Sequence, residues 1–296
     1  MSRAAIVVAT YNRPQHLRDC LAALAQLEGG PYRVVVVDDG SPQSMAPICA
    51  AAGPHVTMIR QVNAGPAAAR NRGVREAGDA EIILFTDDDC RPSPDWAAKL
   101  IVAHGGKDDR LVGGCVVNGL ERNAFSGASQ AILTYSYGQF ADFSERLSFF
   151  TTNNLCVARA RFLDLGGFDE RYGFASEDRD FSFRWKRAGG HLVYQPQAIV
   201  SHLHRLGFSG FLRQHYAYGR GARRFHERVA QSGDAGVKLG RAGFYAGLLL
   251  HPLKRPSPHA ALRTGLIGIA HAALAAGYLR EMRASNRAQP QDINNR

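Results

Sequence analysis

Cysteine is scarce and poorly placed for cross-linking. The 296-residue chain carries Cys20, Cys49, Cys90, Cys115 and Cys156, an odd number at wide spacing with no CxxC pair. That excludes a disulfide framework and a zinc ribbon and leaves buried, reduced thiols as the expectation. No GxGxxG follows the first apolar run and no GxxxxGK[ST] occurs, which argues against a dinucleotide cofactor and a P-loop phosphate site. There is no fixed-period repeat and no long low-complexity tract. Long apolar runs are missing too. Phe244–Pro252 is far too short to span a bilayer, and Leu262–Leu279 contains Arg263, His271 and many small residues. The opening run Ala4–Ala9 is too short for a signal peptide and meets the polar Thr10-Tyr11-Asn12-Arg13, so it reads as a first strand of a cytosolic protein.

What is present is a 45% apolar composition, enough for one large α/β core, with or without a smaller appendage. The net charge of +10 is unevenly placed. Residues 1–204 hold 21 Lys/Arg against 22 Asp/Glu, whereas residues 205–296 hold 15 against 4. A near-neutral domain followed by a basic appendage points to an anionic partner for the appendage alone. The neutral domain and the lack of a recognition motif count against nucleic acid.

Short Val- and Ile-rich runs at Ala4–Ala9, Val34–Val37, His55–Arg60 and Ile82–Phe85 alternate with helical patterns at 14–27, Ser44–Ala52 and Pro66–Ala77. Alternation of this kind implies a parallel sheet covered on both faces. Beyond Arg110–Val117 the pattern loosens. Phe125–Phe150 has no clean period, Ala160–Leu165 and Glu177–Ala188 read as helices, and Leu192–Tyr194 and Ala198–Val200 read as short strand pieces leading to His202. In such sheets ligands bind beyond the carboxyl ends of the strands. Here Thr10-Tyr11-Asn12, Asp38-Asp39 and Asp87-Asp88-Asp89 all follow strands, and acids gathered at one edge need a cation or a hydroxyl-rich ligand to offset their repulsion.

These blocks resemble family 2 glycosyltransferases. The resemblance rests on Thr10-Tyr11-Asn12-Arg13-Pro14, Val37-Asp38-Asp39-Gly40-Ser41 and the run from Asn63 to Asn71. It rests equally on Thr86-Asp87-Asp88-Asp89-Cys90, Gly166-Gly167-Phe168-Asp169-Glu170 and Glu177-Asp178-Arg179-Asp180, all in the family's order over roughly residues 4–204. It implies an α/β GT-A (nucleotide-diphospho-sugar transferase) fold with a mostly parallel central sheet and flanking helices. The domain would comprise a nucleotide-binding half at 1–104 and an acceptor-side half at 105–204, followed by a basic, helical appendage at 205–296. It also implies a nucleoside-diphosphate sugar donor, a divalent cation (Mn²⁺ or Mg²⁺) and inversion at the anomeric carbon.

The resemblance assigns residues as follows. Thr10, Tyr11, Asn12, Arg13 and Asn63 belong to the donor-nucleotide pocket. Asp38 and Asp39 sit where the family binds uracil or ribose, which favours a UDP-sugar, although Asp and Gly also make plain turns. Arg70 borders the diphosphate or the acidic loop, or else is a structural partner of an acid. Asp87 and Asp88 go with the nucleotide. Asp89 is the direct metal ligand, with Asp87 and His202 beside it; His204 points to the same side of an extended chain as His202, and surface histidine is the alternative for both. Hard divalent cations take such oxygen ligands and bridge phosphate oxygens. Asp178, with Glu177, matches the family's catalytic base, which removes the acceptor proton; acids at a helix start also cap it.

One departure matters. The family's processive polymerases carry QxxRW, and here Phe181 precedes Arg184-Trp185, so transfer of a single sugar is expected. The expected acceptor is a glycan or a lipid-linked molecule in cell-surface glycan synthesis. A non-catalytic nucleotide-sugar-binding module is the alternative. Arg205, Arg213, Arg220, Arg223, Arg224 and Arg228 interleave with aromatics in the appendage. That mixture suits an anionic headgroup layer and a peripheral enzyme on the inner face of the cytoplasmic membrane; a soluble appendage packed on the domain is the alternative.

Overall fold

The structure is a computed structural model that describes residues 3–139, 148–173, 175–233, 242–254 and 259–288. The chain divides into two units. One takes Met1–Arg122, Ser136–Gly173 and Glu177–Arg205; the other takes Asn123–Tyr135, Phe174–Ser176 and Leu206–Arg296.

In the first unit the strands are β1 (Ala4–Thr10), β2 (Arg33–Asp38), β3 (Val56–Arg60), β4 (Ile82–Asp87), β5 (Cys90–Pro92), β6 (Arg110–Asn118), β7 (Leu155–Ala158) and β8 (His191–His202). They form one sheet in the order β3-β2-β1-β4-β7-β6-β8-β5. β3, β2, β1 and β4 are parallel neighbours, as the alternating pattern requires. β7 runs antiparallel between β4 and β6, and β8 returns parallel to β6.

Continuous apolar strands mean burial on both faces. Ile6, Val8, Val34, Val36 and Leu84 point into one core, against α1 (Pro14–Leu24), α2 (Ala46–Ala52) and α4 (Trp96–His104). Their neighbours Val7, Val35, Val37, Ile83 and Phe85 point into the other, with α3 (Pro66–Arg75), α6 (Arg159–Asp164) and α7 (Glu177–Arg187). Gly73 lets α3 lie close to the sheet, because a Cβ there would overlap the Val7 side chain.

Four features differ from the sequence reading. The helix α4, with its buried Trp96 and Leu100, gave no recognised pattern. β5 is three residues long and β7 four, too short for any periodicity to show. The two pieces at 192–194 and 198–200 form one strand whose pairing with β6 skips from Gln195 to Ile199, and Pro196 at the break cannot donate to the ladder. Finally, a helix α5 (Ala124–Gln139) occupies the aperiodic stretch. Residues 140–147 and Phe174 lie outside the described residues.

In the second unit, α8 (Phe208–Gln231), α9 (Ala242–Leu250) and α10 (Ala260–Ala288) share a core of Phe211, Leu248, Leu266, Ile267 and Ala270 with Tyr135. α8 and α10 meet at backbone distance. A Cβ on Gly219 would overlap the Leu274 carbonyl, and one on Gly277 the Tyr216 carbonyl. Three of the arginines expected to face a headgroup layer are engaged internally. Arg220 and Arg224 both hold Glu281, at 2.7 and 2.6 Å, and Arg223 holds Glu227 at 2.8 Å.

Candidate functional site

The carboxyl ends of β1, β2 and β4 lie side by side, since Thr10 pairs with Asp38 and Ala9 with Asp87. Strand pairing therefore brings the three polar loops to one edge. Each acid there has a distinct set of partners.

Asp38 has no exposed surface. Its carboxylate accepts the Ser41 amide at 2.9 Å and the Met45 amide at 3.5 Å, so it holds the turn after β2. These contacts are those of the turn role weighed as the alternative for Asp38. Asp39 reaches the next loop. Its Oδ1 accepts from Gln61 Nε2 at 2.8 Å and the Ala64 amide at 2.9 Å, and its Oδ2 accepts the Gly65 amide at 2.9 Å. A carboxylate has about four acceptor positions, which leaves one for a ligand N–H or O–H. Asn63 donates to the Asp39 carbonyl at 2.9 Å. Asn12 adopts φ 53° and gives its amide to Ser41 Oγ at 2.8 Å. Tyr11 beside it is exposed. The bracing of Asp39 by Gln61 had no signal in the sequence, because Gln61 belongs to no motif.

The triplet after β4 separates in three directions. Asp87 accepts from Arg70 at 2.7 Å, and Arg70 donates to Glu177 at 3.0 Å. One buried guanidinium thus ties the acidic loop to the start of α7, the structural alternative for Arg70. Asp88 accepts from Thr10 Oγ1 at 2.7 Å and from Arg13 at 3.1 Å. Burial and the Asp89 charge push the Asp88 carboxyl up to about 6, against the opposing pull of Arg13 and Thr10. Arg13 also reaches Asp89 at 3.1 Å.

Asp89 meets histidines. β5 pairs with β8 so that Cys90 stands opposite His202, and the Leu203 amide donates to the Asp89 carbonyl at 2.8 Å. His202 Nε2 lies 3.2 Å from Asp89 Oδ1, and His204 Nδ1 lies 3.9 Å from Oδ2. The ligand atoms of Asp89, His202 and His204 all fall within 4.8 Å of one another. One carboxylate oxygen and two imidazole nitrogens suit a borderline divalent ion such as Mn²⁺ better than Mg²⁺. Asp87, expected as a ligand, accepts from Arg70 at Oδ1, and His204 is the third residue of this cluster. Burial pulls His202 down, but the Asp89 hydrogen bond and charge outweigh it and raise its pKa. Burial opposes the Asp89 charge as well, and the His202 hydrogen bond overcomes it, so Asp89 is held below the usual carboxylate range. Burial and the neighbouring His202 push His204 down to about 4.

At the start of α7, burial and the Asp178 charge push Glu177 up to about 7 against the pull of Arg70. Asp178 is half-buried; its Oδ1 accepts the Arg179 amide at 2.8 Å, and burial raises its pKa. Arg179 stacks 4.5 Å from the Phe149 ring. Further along α7, Arg184 donates to Asp180 and to the Leu165 and Gly167 carbonyls, while Trp185 is buried with Nε1 on the Asp109 carbonyl. The Arg-Trp pair is therefore structural here.

Known proteins are similar to this chain in sequence and in fold. A pre-mycofactocin glycosyltransferase of Mycobacterium tuberculosis is 27% identical over 228 residues, covering 73% of this chain and 46% of the relative. The chain thus spans under half of that relative's length. An N-acetylglucosaminyl-diphospho-decaprenol L-rhamnosyltransferase of the same organism is 27% identical over 229 residues, covering 67% of this chain and 75% of the relative. Among solved structures, the mannosyltransferase PcManGT of Pyrobaculum calidifontis, in complex with GDP-Man and Mn²⁺, superposes with a TM-score of 0.61 at 18% identity, over 97% of this chain and 79% of that one. That likeness establishes the GT-A fold. The family model for glycosyl transferase family 2 matches residues 5–163, more than half the chain, and this chain therefore belongs to glycosyl transferase family 2.

Proposed function

We propose that the protein is a metal-dependent, inverting glycosyltransferase that moves one sugar from a nucleoside-diphosphate sugar to an acceptor hydroxyl. The observation that carries this reading is the link from the triplet to α7: Asp89 stands with His202 and His204, while Asp87 is tied through Arg70 to Glu177, next to Asp178. A cation site and a candidate base are thereby held on one frame.

Asp89, His202 and His204 would hold the cation, which when bound supplies positive charge against the departing diphosphate. Asp39 offers its remaining acceptor position to a base or ribose; a UDP-sugar is the donor we favour. Asp178 takes the acceptor proton. Its raised pKa is in the direction a general base needs, and no described residue engages its Oδ2. Arg70 keeps the neighbouring Glu177 from drawing that proton by pairing with it. The acceptor we favour is a glycan or lipid-linked molecule, in line with the decaprenol-linked substrate named for one relative. The absence of QxxRW supports a single transfer.

A thermal-shift panel of UDP-, GDP- and dTDP-sugars, with Mn²⁺ and with EDTA, tests the reading. Ligand at about 100 times its Kd stabilises by roughly 2.7 kcal/mol, so the correct donor stands out only when Mn²⁺ is present. An equal shift in EDTA removes the metal from the proposal, and no shift with any sugar nucleotide sinks it.

A further inference from the structure

A surface helix ordinarily carries an apolar face toward its core and a polar face toward water. α10 does not. Its inner side buries Leu266, Ile267 and Ala270 in the core of the second unit and sets Gly277 against α8. On its outer side, every exposed residue from Ala261 to Leu279 is Ala, Gly, Leu or Ile. Leu262, Gly265, Ile269, Ala272, Ala276 and Leu279 follow one another at helical spacing along a single stripe. It is ~27 Å long at about 1.5 Å per residue. The adjoining α9 repeats the pattern with exposed Tyr245, Leu249 and Leu250, and Leu253 continues it. The two helices are in contact through Tyr245 against His271 and through Thr264, which donates to the Leu249 carbonyl.

Arg263 and His271, which argued against a membrane segment in the sequence, are off this stripe. Arg263 is half-buried against Gly127, and His271 Nδ1 lies 2.8 Å from the Ile267 carbonyl in its own helix. Within Ala260–Ser285 the helix reaches a mean hydropathy of 1.3, with 22% of the window buried.

The borders of the face are cationic. Lys254 ends the α9 side, and Arg280 and Arg283 are exposed at the far end of α10. Among the described residues of this unit the carboxylates are Glu227 and Glu281, and arginines already hold both. A second copy laid on the stripe in either direction would bring cations against cations. Anionic lipid headgroups complement both ends, and acyl chains cover the middle.

We infer that the outward face of α9 and α10 docks on an anionic lipid bilayer, with α10 lying in the membrane plane rather than crossing it. Crossing is disfavoured by α8. The two helices touch backbone to backbone at Gly219 and Gly277, so α10 cannot enter the hydrocarbon without Arg213, Arg220, Arg223 and Arg224 of α8. Lying at the interface, α10 buries its stripe while Lys254, Arg280 and Arg283 reach headgroups. The inner face of a cytoplasmic membrane supplies the negative surface. The metal and base assignments do not enter this inference.

Flotation of the full-length protein with vesicles of phosphatidylcholine, alone or mixed with phosphatidylglycerol, tests it. Wild type should float with the mixed vesicles, more weakly with the neutral ones, and come off in alkaline carbonate. The double variant Leu262→Glu, Ile269→Glu should lose about tenfold or more of the bound fraction, whereas Val102→Glu, an exposed change in the first unit, should not. Fluorescence of an Ile269→Trp variant should be quenched by brominated acyl chains, because the native Trp96 and Trp185 are buried. Equal flotation of the double variant and wild type overturns the inference. So does a wild-type dimer by light scattering that dissociates in the double variant without any flotation, since the face then serves a second copy. Resistance to carbonate would show a spanning helix and overturn the in-plane geometry.

Discussion

Arg70 is the link whose removal reports most on the site. Its side chain is 7% exposed and holds Asp87 at 2.7 Å and Glu177 at 3.0 Å. Consider Arg70→Met in metal-free protein. At pH 5.5 Glu177, with a pKa of about 7, is protonated in wild type and variant alike. The loss there is that of two hydrogen bonds to charged or polar groups, roughly 1–3 kcal/mol. At pH 8 wild-type Glu177 is ionised, and one pH unit above its pKa is worth about 1.4 kcal/mol. Without Arg70, burial and Asp178 keep Glu177 protonated, and most of that contribution disappears. The variant should therefore lose about 1 kcal/mol more at pH 8 than at pH 5.5. The total of roughly 2–4 kcal/mol overlaps the range for breaking a buried ion pair. A carboxyl whose folded pKa is raised lowers stability as pH climbs from its unfolded value toward its folded one. Glu177→Gln should accordingly remove a decline of about 3 kcal/mol between pH 4.5 and 7 and be the more stable protein at pH 8. Urea denaturation at the two pH values, followed by tryptophan fluorescence, measures both. An equal Arg70→Met loss at both pH values, or a total under about 1 kcal/mol, would refute the buried-pair reasoning.

Other perturbations address the remaining parts. Asp178→Asn should keep donor affinity and reduce transfer by about two to four orders of magnitude; transfer near the wild-type rate makes Asp178 a helix cap. Asp89→Ala should abolish Mn²⁺-dependent donor binding in calorimetry, and EDTA-insensitive binding in that variant contradicts the ligand assignment. Because metal-bound imidazole must be neutral, Mn²⁺ affinity should fall as pH drops through the raised pKa of His202, and His202→Ala should flatten that dependence. Gly277→Val should separate α8 from α10, since its side chain would overlap the Tyr216 carbonyl, and should appear as early melting of the second unit in calorimetry.

Much of the first unit was legible in the chain. Runs such as Ile6–Val8 and Val34–Val37 are buried on both faces, and only a covered parallel sheet accommodates them. The acids that follow those strands had to reach one edge, because parallel neighbours end together. What local pattern cannot encode is pairing between distant segments. β5 is three residues long, yet its ladder with β8 puts His202 and His204 beside Asp89. Likewise Arg70 finds Glu177 across 107 positions of sequence, and the same guanidinium pairs with Asp87, a contact that no local pattern announces. Adjacent acids look alike as letters. Burial and partners made Asp38 a turn brace, Asp88 a partner of Thr10 and Arg13, and Asp89 a histidine partner. In the second unit, composition disclosed the excess of arginine, but only packing decided which arginines are held inside and which face of α10 is bare. Sequence determines which side chains exist and how they recur along a helix or strand; tertiary structure decides which of them meet, because proximity between distant segments is set by the whole core and not by any local period.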